Sequence, residues 1–213
     1  MQKIIGVFDS GVGGKTTLAE IQKVLPDAKT VYFGDSKNCP YGEKSQNELI
    51  KITSEIVERF TRAGATMVVI ACNTATTQCI KTLREKFPGL TFVGTEPALK
   101  IACDRGYQNI LLMATPVTIR SQQVARLVEK NVTNQELTLL PCAGLAELVE
   151  AAAPVEAKLE ELLSPIPNRD KIDAVVLGCT HYVYLKPQIQ SYFPNAELID
   201  GNSGVAKRVA SLL

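Results

Sequence analysis

The sequence predicts an α/β protein: two similar α/β domains with mostly parallel sheets and an active site in the cleft between them. Three observations carry that expectation. Short β-rich runs alternate with helix-period segments along the whole chain, the pattern of parallel sheets covered by helices. One run, Met67-Val68-Val69-Ile70-Ala71, is apolar throughout, as in a strand buried on both faces. A unit of strand, cysteine, helix and Phe-Pro occurs twice, which points to two related halves.

The elements follow in order. Ile4-Ile5-Gly6-Val7-Phe8 reads as a strand, followed by a Gly-rich turn through Gly14. Thr17 to Leu25 reads as a helix with Leu18, Ile21, Val24 and Leu25 on one face, stopped by Pro26-Asp27. Thr30 to Gly34 is the second strand, and 36–44 is loop-like around Pro40-Tyr41-Gly42. Ser45 to Ala63 is the clearest helix, with Leu49, Ile52, Ile56 and Phe60 recurring at three and four, and Gly64 closing it. After the strand at 67–71 come a helix over Thr76 to Phe87, a strand over Leu90 to Gly94 and a helix over Ala98 to Arg105. A strand over Asn109 to Ala114, a helix over Ile119 to Lys130 and a strand over Glu136 to Leu140 come next. Helices are expected at Leu145 to Ala153 and Val155 to Leu163, then a loop over Ser164 to Asn168. The last elements are strands at Ala174 to Leu177 and Leu198-Ile199, with helices at Leu185 to Tyr192 and Gly204 to Leu213.

The internal echo sets Val68-Val69-Ile70-Ala71-Cys72-Asn73-Thr74 beside Val175-Val176-Leu177-Gly178-Cys179-Thr180-His181. The first copy runs on to Phe87-Pro88 and the second to Phe193-Pro194. A boundary near Glu96-Pro97 gives a first domain over 1–96, completed by the helix at 204–213, and a second over 97–203.

Composition excludes several classes. The 213 residues are 46% hydrophobic and 21% charged, as in an ordinary globular protein. Lys and Arg number 23 against 22 Asp and Glu, a net charge of +1, so the chain is a poor non-specific nucleic-acid binder. The run after Met1-Gln2-Lys3 is too short for a secretory leader and meets Asp9 at once. No stretch approaches a membrane span, and a cytoplasmic location with no membrane partner is expected. Six cysteines stand at 39, 72, 79, 103, 142 and 179 with no C-x-x-C pair, and His181 is the only histidine. That pattern fits neither a disulfide framework nor a zinc site, so no metal is expected.

Cys72 and Cys179 both fall at the carboxyl ends of strands, the edge where open α/β sheets bind ligands. Each is expected just before a helix, whose positive end would lower a thiol pKa below its free value of about 8.5. Two thiols flanking one cleft could take a proton from one face of a carbon and return one to the other. Asp9-Ser10-Gly11-Val12-Gly13-Gly14-Lys15-Thr16 has a P-loop outline, but Asp9 replaces the first Gly and would repel phosphate. It reads either as a polar loop offering N–H groups to a substrate carboxylate or as a tight turn with Asp9 as a cap. His181, two residues beyond Cys179, is placed to share its proton, or is simply structural. Thr74 and Thr180 offer hydroxyl donors and could equally cap helices.

These segments resemble the glutamate racemases, cofactor-independent members of the aspartate/glutamate racemase superfamily. The matching stretches are Gly6 to Gly14, Tyr32-Phe33-Gly34-Asp35, Pro40-Tyr41-Gly42, Val69 to Thr76, Glu96-Pro97-Ala98, Leu148-Val149-Glu150 and Leu177 to Tyr182. The resemblance implies a two-base 1,1-proton transfer that interconverts L- and D-glutamate for peptidoglycan synthesis, without a cofactor. It implies Cys72 on one face of Cα assisted by Asp9, and Cys179 on the other assisted by Glu150 and His181. Ser10, Tyr41, Gly42, Asn73, Thr74, Thr180 and His181 would hold the substrate together with Asp9, and Thr115 and Thr118 are weaker candidates. The partner expected is the small-molecule substrate glutamate, with a homodimer as an option. Members of the family usually continue beyond the segment matching Ala206 to Leu213. Two alternatives remain open: a related racemase acting on aspartate, and a catalytically inactive binding or regulatory homologue with a shortened C-terminus.

Overall fold

A computed structural model describes residues 3–213, so Met1 and Gln2, where the leader reading begins, lie outside the described residues. Among these, no helix is long and apolar enough to cross a membrane. The chain divides into two compact units, one running to Glu96 and taking in Asn202–Leu213, the other Pro97–Gly201.

The first unit is built on β1 (Ile4–Asp9), β2 (Lys29–Gly34), β3 (Ala65–Ile70) and β4 (Thr91–Gly94). They form an all-parallel sheet in the order β2-β1-β3-β4. Successive side chains of a strand point to opposite faces, and the apolar residues use both. Ile5, Val7, Met67 and Val69 face α1 (Lys15–Val24) and α10 (Asn202–Ala210), meeting Ile21, Val205 and Val209. Phe8, Val68 and Ile70 face α2 (Gln46–Arg62) and α3 (Asn73–Lys86), meeting Leu49, Val57, Phe60 and Leu83. Helix α2 starts at a capping box between Ser45 and Glu48 and stops at Gly64, whose φ of +80 suits glycine alone.

The second unit repeats the plan. β5 (Asn109–Ala114), β6 (Glu136–Pro141), β7 (Ala174–Leu177) and β8 (Glu197–Ile199) form a parallel sheet in the order β6-β5-β7-β8. Replacing each strand of the first sheet by its counterpart four places later gives this order. Leu111, Met113, Val175 and Leu177 pack on α7 (Leu145–Glu150), α8 (Glu156–Leu163) and α9 (Lys186–Tyr192). Ile110, Leu112, Ala174 and Val176 pack on α4 (Leu99–Asp104) and α6 (Gln122–Asn131).

Several boundaries differ from the sequence reading. Helix α3 starts at Asn73 rather than Thr76, because the Cys72 sulfur caps it. The helix expected over Ile119 to Lys130 is two: α5 (Pro116–Ile119), capped by Thr115, and α6, capped by Ser121. The 36–44 loop contains 3-10 turns at Ser36–Asn38 and Tyr41–Glu43. A 3-10 stretch, Thr180–Leu185, precedes α9, and α10 begins at Asn202 and ends at Ala210.

Candidate active site

In each sheet the strand order reverses between its two central strands, and that switch point is where such sheets bind ligands. In the first unit β1 and β3 meet there, ending in Asp9 and leading into Cys72. Asp9 is fully buried, and its Oδ2 accepts the Gly11 N–H at 3.1 Å. Position 14 of its loop requires glycine: a Cβ on Gly14 would lie 2.5 Å from the Asp9 Cβ. Cys72 is the N-cap of α3, and its sulfur accepts the Ala75 N–H at 3.4 Å. The thiol donates to the Ser10 hydroxyl at 3.6 Å. Asn73 and Thr74 open the helix, both buried, and Asn73 Oδ1 has no hydrogen-bond partner among the described residues.

The electrostatics of Cys72 correct the sequence expectation. Its pKa is pushed up to about 12, first by burial and then by the Asp9 charge. The Ala75 N–H and Ser10 oppose the rise without overcoming it. The helix start that was expected to acidify this thiol is outweighed by loss of water and a neighbouring carboxylate. Cys72 therefore holds its proton at neutral pH.

Tyr41 and Gly42 lie in a 3-10 turn of the same unit, and Tyr41 is buried. The Tyr41 hydroxyl donates to Asp35 Oδ2 at 2.7 Å, and Asn38 Nδ2 donates to both Asp35 oxygens at 2.9 Å. Burial, the Asp35 bond and the charges of Asp35, Cys72 and Asp9 raise the Tyr41 pKa. Asp35 was not among the site residues read from sequence. Its signal was the carboxylate ending Tyr32-Phe33-Gly34-Asp35, six residues before its partner.

In the second unit Cys179 follows β7 as Cys72 follows β3, but its neighbours are different. It heads the 3-10 stretch Thr180–Leu185, and its side chain makes no capping bond. The Cys179 sulfur is 3.8 Å from His181 Nδ1, and His181 Nε2 is 2.8 Å from Glu150 Oε2. A carboxylate only accepts hydrogen bonds, so in the Glu150 contact Nε2 is the donor and Nδ1 is the ring nitrogen that faces the thiol. His181 is 1% exposed and the Glu150 side chain 14%, so the relay is largely withdrawn from water. Glu150 reaches it as the last residue of α7. Thr180 is buried beside Cys179. Thr115 and Thr118 follow β5, as Asp9 and Ser10 lie at the end of β1, and their hydroxyls bond each other at 2.9 Å.

Among the sequence-predicted residues, Asp9, Ser10, Tyr41, Gly42, Cys72, Asn73 and Thr74 lie in the first unit, with Asp9, Ser10, Tyr41 and Cys72 tied by bonds or charge. Glu150, Cys179, Thr180 and His181 lie in the second, with Glu150, His181 and Cys179 in line.

Comparison with known proteins places the chain in a family. A glutamate racemase of Clostridium acetobutylicum is 42% identical over 211 residues, covering 96% of this chain and 82% of that protein. The crystal structure of Escherichia coli glutamate racemase, in complex with L-glutamate and the activator UDP-MurNAc-Ala, superposes with a TM-score of 0.91 at 33% identity. It covers 100% of this chain and 82% of the E. coli chain. Picrophilus torridus aspartate racemase shares the fold more distantly, with a TM-score of 0.66 and 16% identity over 99% of this chain and 94% of its own. Residues 15–209 match the family described as Asp/Glu/Hydantoin racemase. With the duplicated sheet, the strand-end thiols and their acid–base neighbours, these likenesses establish that the chain belongs to the Asp/Glu/Hydantoin racemase family.

Proposed function

We infer that this chain is an isomerase that interconverts L- and D-glutamate by a two-base 1,1-proton transfer at Cα. The observation that carries the reading is the pair of cysteines at equivalent strand ends, each with its own acid–base partner. The Clostridium relative's name and the E. coli relative's complex with L-glutamate favour glutamate over aspartate.

One sulfur, as thiolate, takes the Cα proton: an S–H bond forms and a Cα–H bond breaks. The electron pair passes into the substrate carboxylate. The opposite thiol then gives its proton to the other face of Cα, so the two sulfurs leave the turnover with their protonation exchanged. In the direction in which Cys179 takes the Cα proton, Cys72, whose proton is held by burial and by Asp9, is the donor, and in the reverse direction the roles exchange. In that first direction Cys179 is the acceptor, with its own proton passed to His181 Nδ1 and the imidazolium balanced by Glu150. Because Cα–H is a weak acid, the carboxylate needs hydrogen-bond donors where charge accumulates. Ser10, Asn73, Thr74 and Thr180 are proposed to supply them, with Asp9, Tyr41, Gly42 and His181 completing the substrate's surroundings. The two units are the proposed domains of the enzyme, a homodimer is its proposed assembly, and the cytoplasm, where D-glutamate enters peptidoglycan synthesis, its proposed location.

Incubation with L-glutamate, and separately with L-aspartate, tests the assignment without added cofactor. Decay of ellipticity with glutamate alone is expected. Decay with aspartate alone, or with neither from folded protein, would overturn it.

A further inference from the structure

Helix α10 brings a polar residue to the first turn of α1, which follows the Asp9 loop. Asn202, its first residue, is buried. Its Oδ1 accepts the Thr17 hydroxyl at 2.7 Å, across 185 residues of sequence. Its Nδ2 donates to Thr16 Oγ1 at 3.0 Å, and Thr16 Oγ1 in turn donates to the Gly13 carbonyl at 2.8 Å. Both ends of the carboxamide are therefore engaged by the first turn of α1. That turn has no cap of its own: its N-cap is Gly14, which has no side chain to offer. Gly13 lies in the loop that holds Asp9 through the Gly11 N–H and places Ser10 against the Cys72 thiol.

Packing alone does not require this arrangement. Val205, Ala206 and Val209 already dock α10 against the apolar face that carries Ile21. Apolar contact is non-directional, whereas a carboxamide between two hydroxyls fixes an orientation. We propose that Asn202 is a positioning residue for the Cys72 half-reaction, holding the loop that sets Asp9 and Ser10 against the Cys72 thiol. The inference rests on the racemase reading above.

The test compares Asn202→Ala, Thr16→Val and Thr17→Val with the parent, using L- and D-glutamate carrying hydrogen or deuterium at Cα. Val209→Ala, which trims buried packing on α10 away from the loop, is the control. Loss of about ten- to a hundred-fold in turnover is expected in Asn202→Ala and Thr16→Val. The substrate isotope effect should rise in the direction in which Cys72 takes the proton and fall in the other, because only one of the two proton transfers is slowed. The double variant Asn202→Ala/Thr17→Val removes both members of a buried polar pair. It should regain much of the lost melting temperature while keeping the isotope asymmetry. Isotope effects matching the parent in both directions, or the same asymmetry in Val209→Ala, would overturn the inference. Should Asn202→Ala fail to fold, the two threonine variants decide by the same criterion. A parent that does not racemise glutamate overturns the functional reading itself, and the inference with it.

Discussion

Cys72 and Cys179 leave equivalent strands of two sheets with the same order, yet one faces a carboxylate and the other an imidazole. Beside Cys72, the charge of Asp9 adds to burial and keeps the proton on sulfur. Beside Cys179, His181 Nδ1 faces the sulfur, and Glu150 stands behind the ring where it would balance the charge that proton transfer creates. A racemase treats two mirror-image substrates almost equally, but its two bases need not be alike. They need opposite protonation at the start of each turnover, and the proposed mechanism draws that from unlike neighbours.

The largest effect should come from the sulfurs. Cys72→Ala and Cys179→Ala should each lower racemisation by on the order of 10⁴-fold in both directions, since in the proposed mechanism every turnover uses both groups. Full activity in either variant would break the comparison outright. Next come the neighbours. His181→Ala should cost about 10²- to 10³-fold, and Glu150→Gln roughly 10-fold, since Glu150 acts through the ring. A Glu150→Gln loss as large as that of His181→Ala would mean that Glu150 touches the substrate directly.

Two glycines sharpen the comparison through packing. A Cβ on Gly14 would meet Asp9 at 2.5 Å, and one on Gly178 would meet Ala114 Cβ at 2.9 Å and the Met113 carbonyl at 3.0 Å. Both alanine variants should lose about 1–3 kcal/mol in denaturant unfolding. Gly14→Ala should also lower turnover, because the atom displaced belongs to Asp9.

The smallest effect is on pH dependence. The Cys72 pKa is raised from 9.0 to about 12, so the folded chain holds this proton more tightly than the unfolded chain. That contribution to stability is whole below pH 9 and is lost as pH rises towards 12. Cys79 and Cys142, raised by burial to about 11 and about 12, add losses of the same sign. Cys72→Ala should therefore soften, without abolishing, the fall in stability above pH 9, and Asp9→Asn should bring the thiol's titration below about 12. An unchanged titration in Asp9→Asn would show that burial acts alone.

Much of this was legible in the sequence because it is local. Alternating apolar runs marked the strands, and Cys72 and Cys179 declared themselves by following two of them. Chemistry that depends on distant residues was not legible. The Cys72 thiol moves up rather than down because burial and Asp9, from another strand, act on it. Thr76 looked like the start of α3, since cysteine is an uncommon cap, and the Cys72–Ala75 bond moved that start to Asn73. Asp35 reaches Tyr41 only through the turn between them, and Asn202 meets Thr17 only after the chain has passed through the second unit. Glu150 was found by resemblance alone. Nothing in its helix distinguishes it from Glu147 until His181 is seen at 2.8 Å.

The central claim is that two separate groups handle the proton, and the partition of solvent label tests it most directly. L-Glutamate is incubated with the protein in D2O, the reaction is quenched at low conversion, and the two enantiomers are separated for Cα deuterium. Two bases predict D-glutamate that is deuterated and recovered L-glutamate that is not, because the opposite sulfur delivers solvent deuterium to the product while the abstracting sulfur can return only the hydrogen it has just taken. Deuterium entering L-glutamate as fast as D-glutamate appears would mean that a single group serves both faces, contrary to the account.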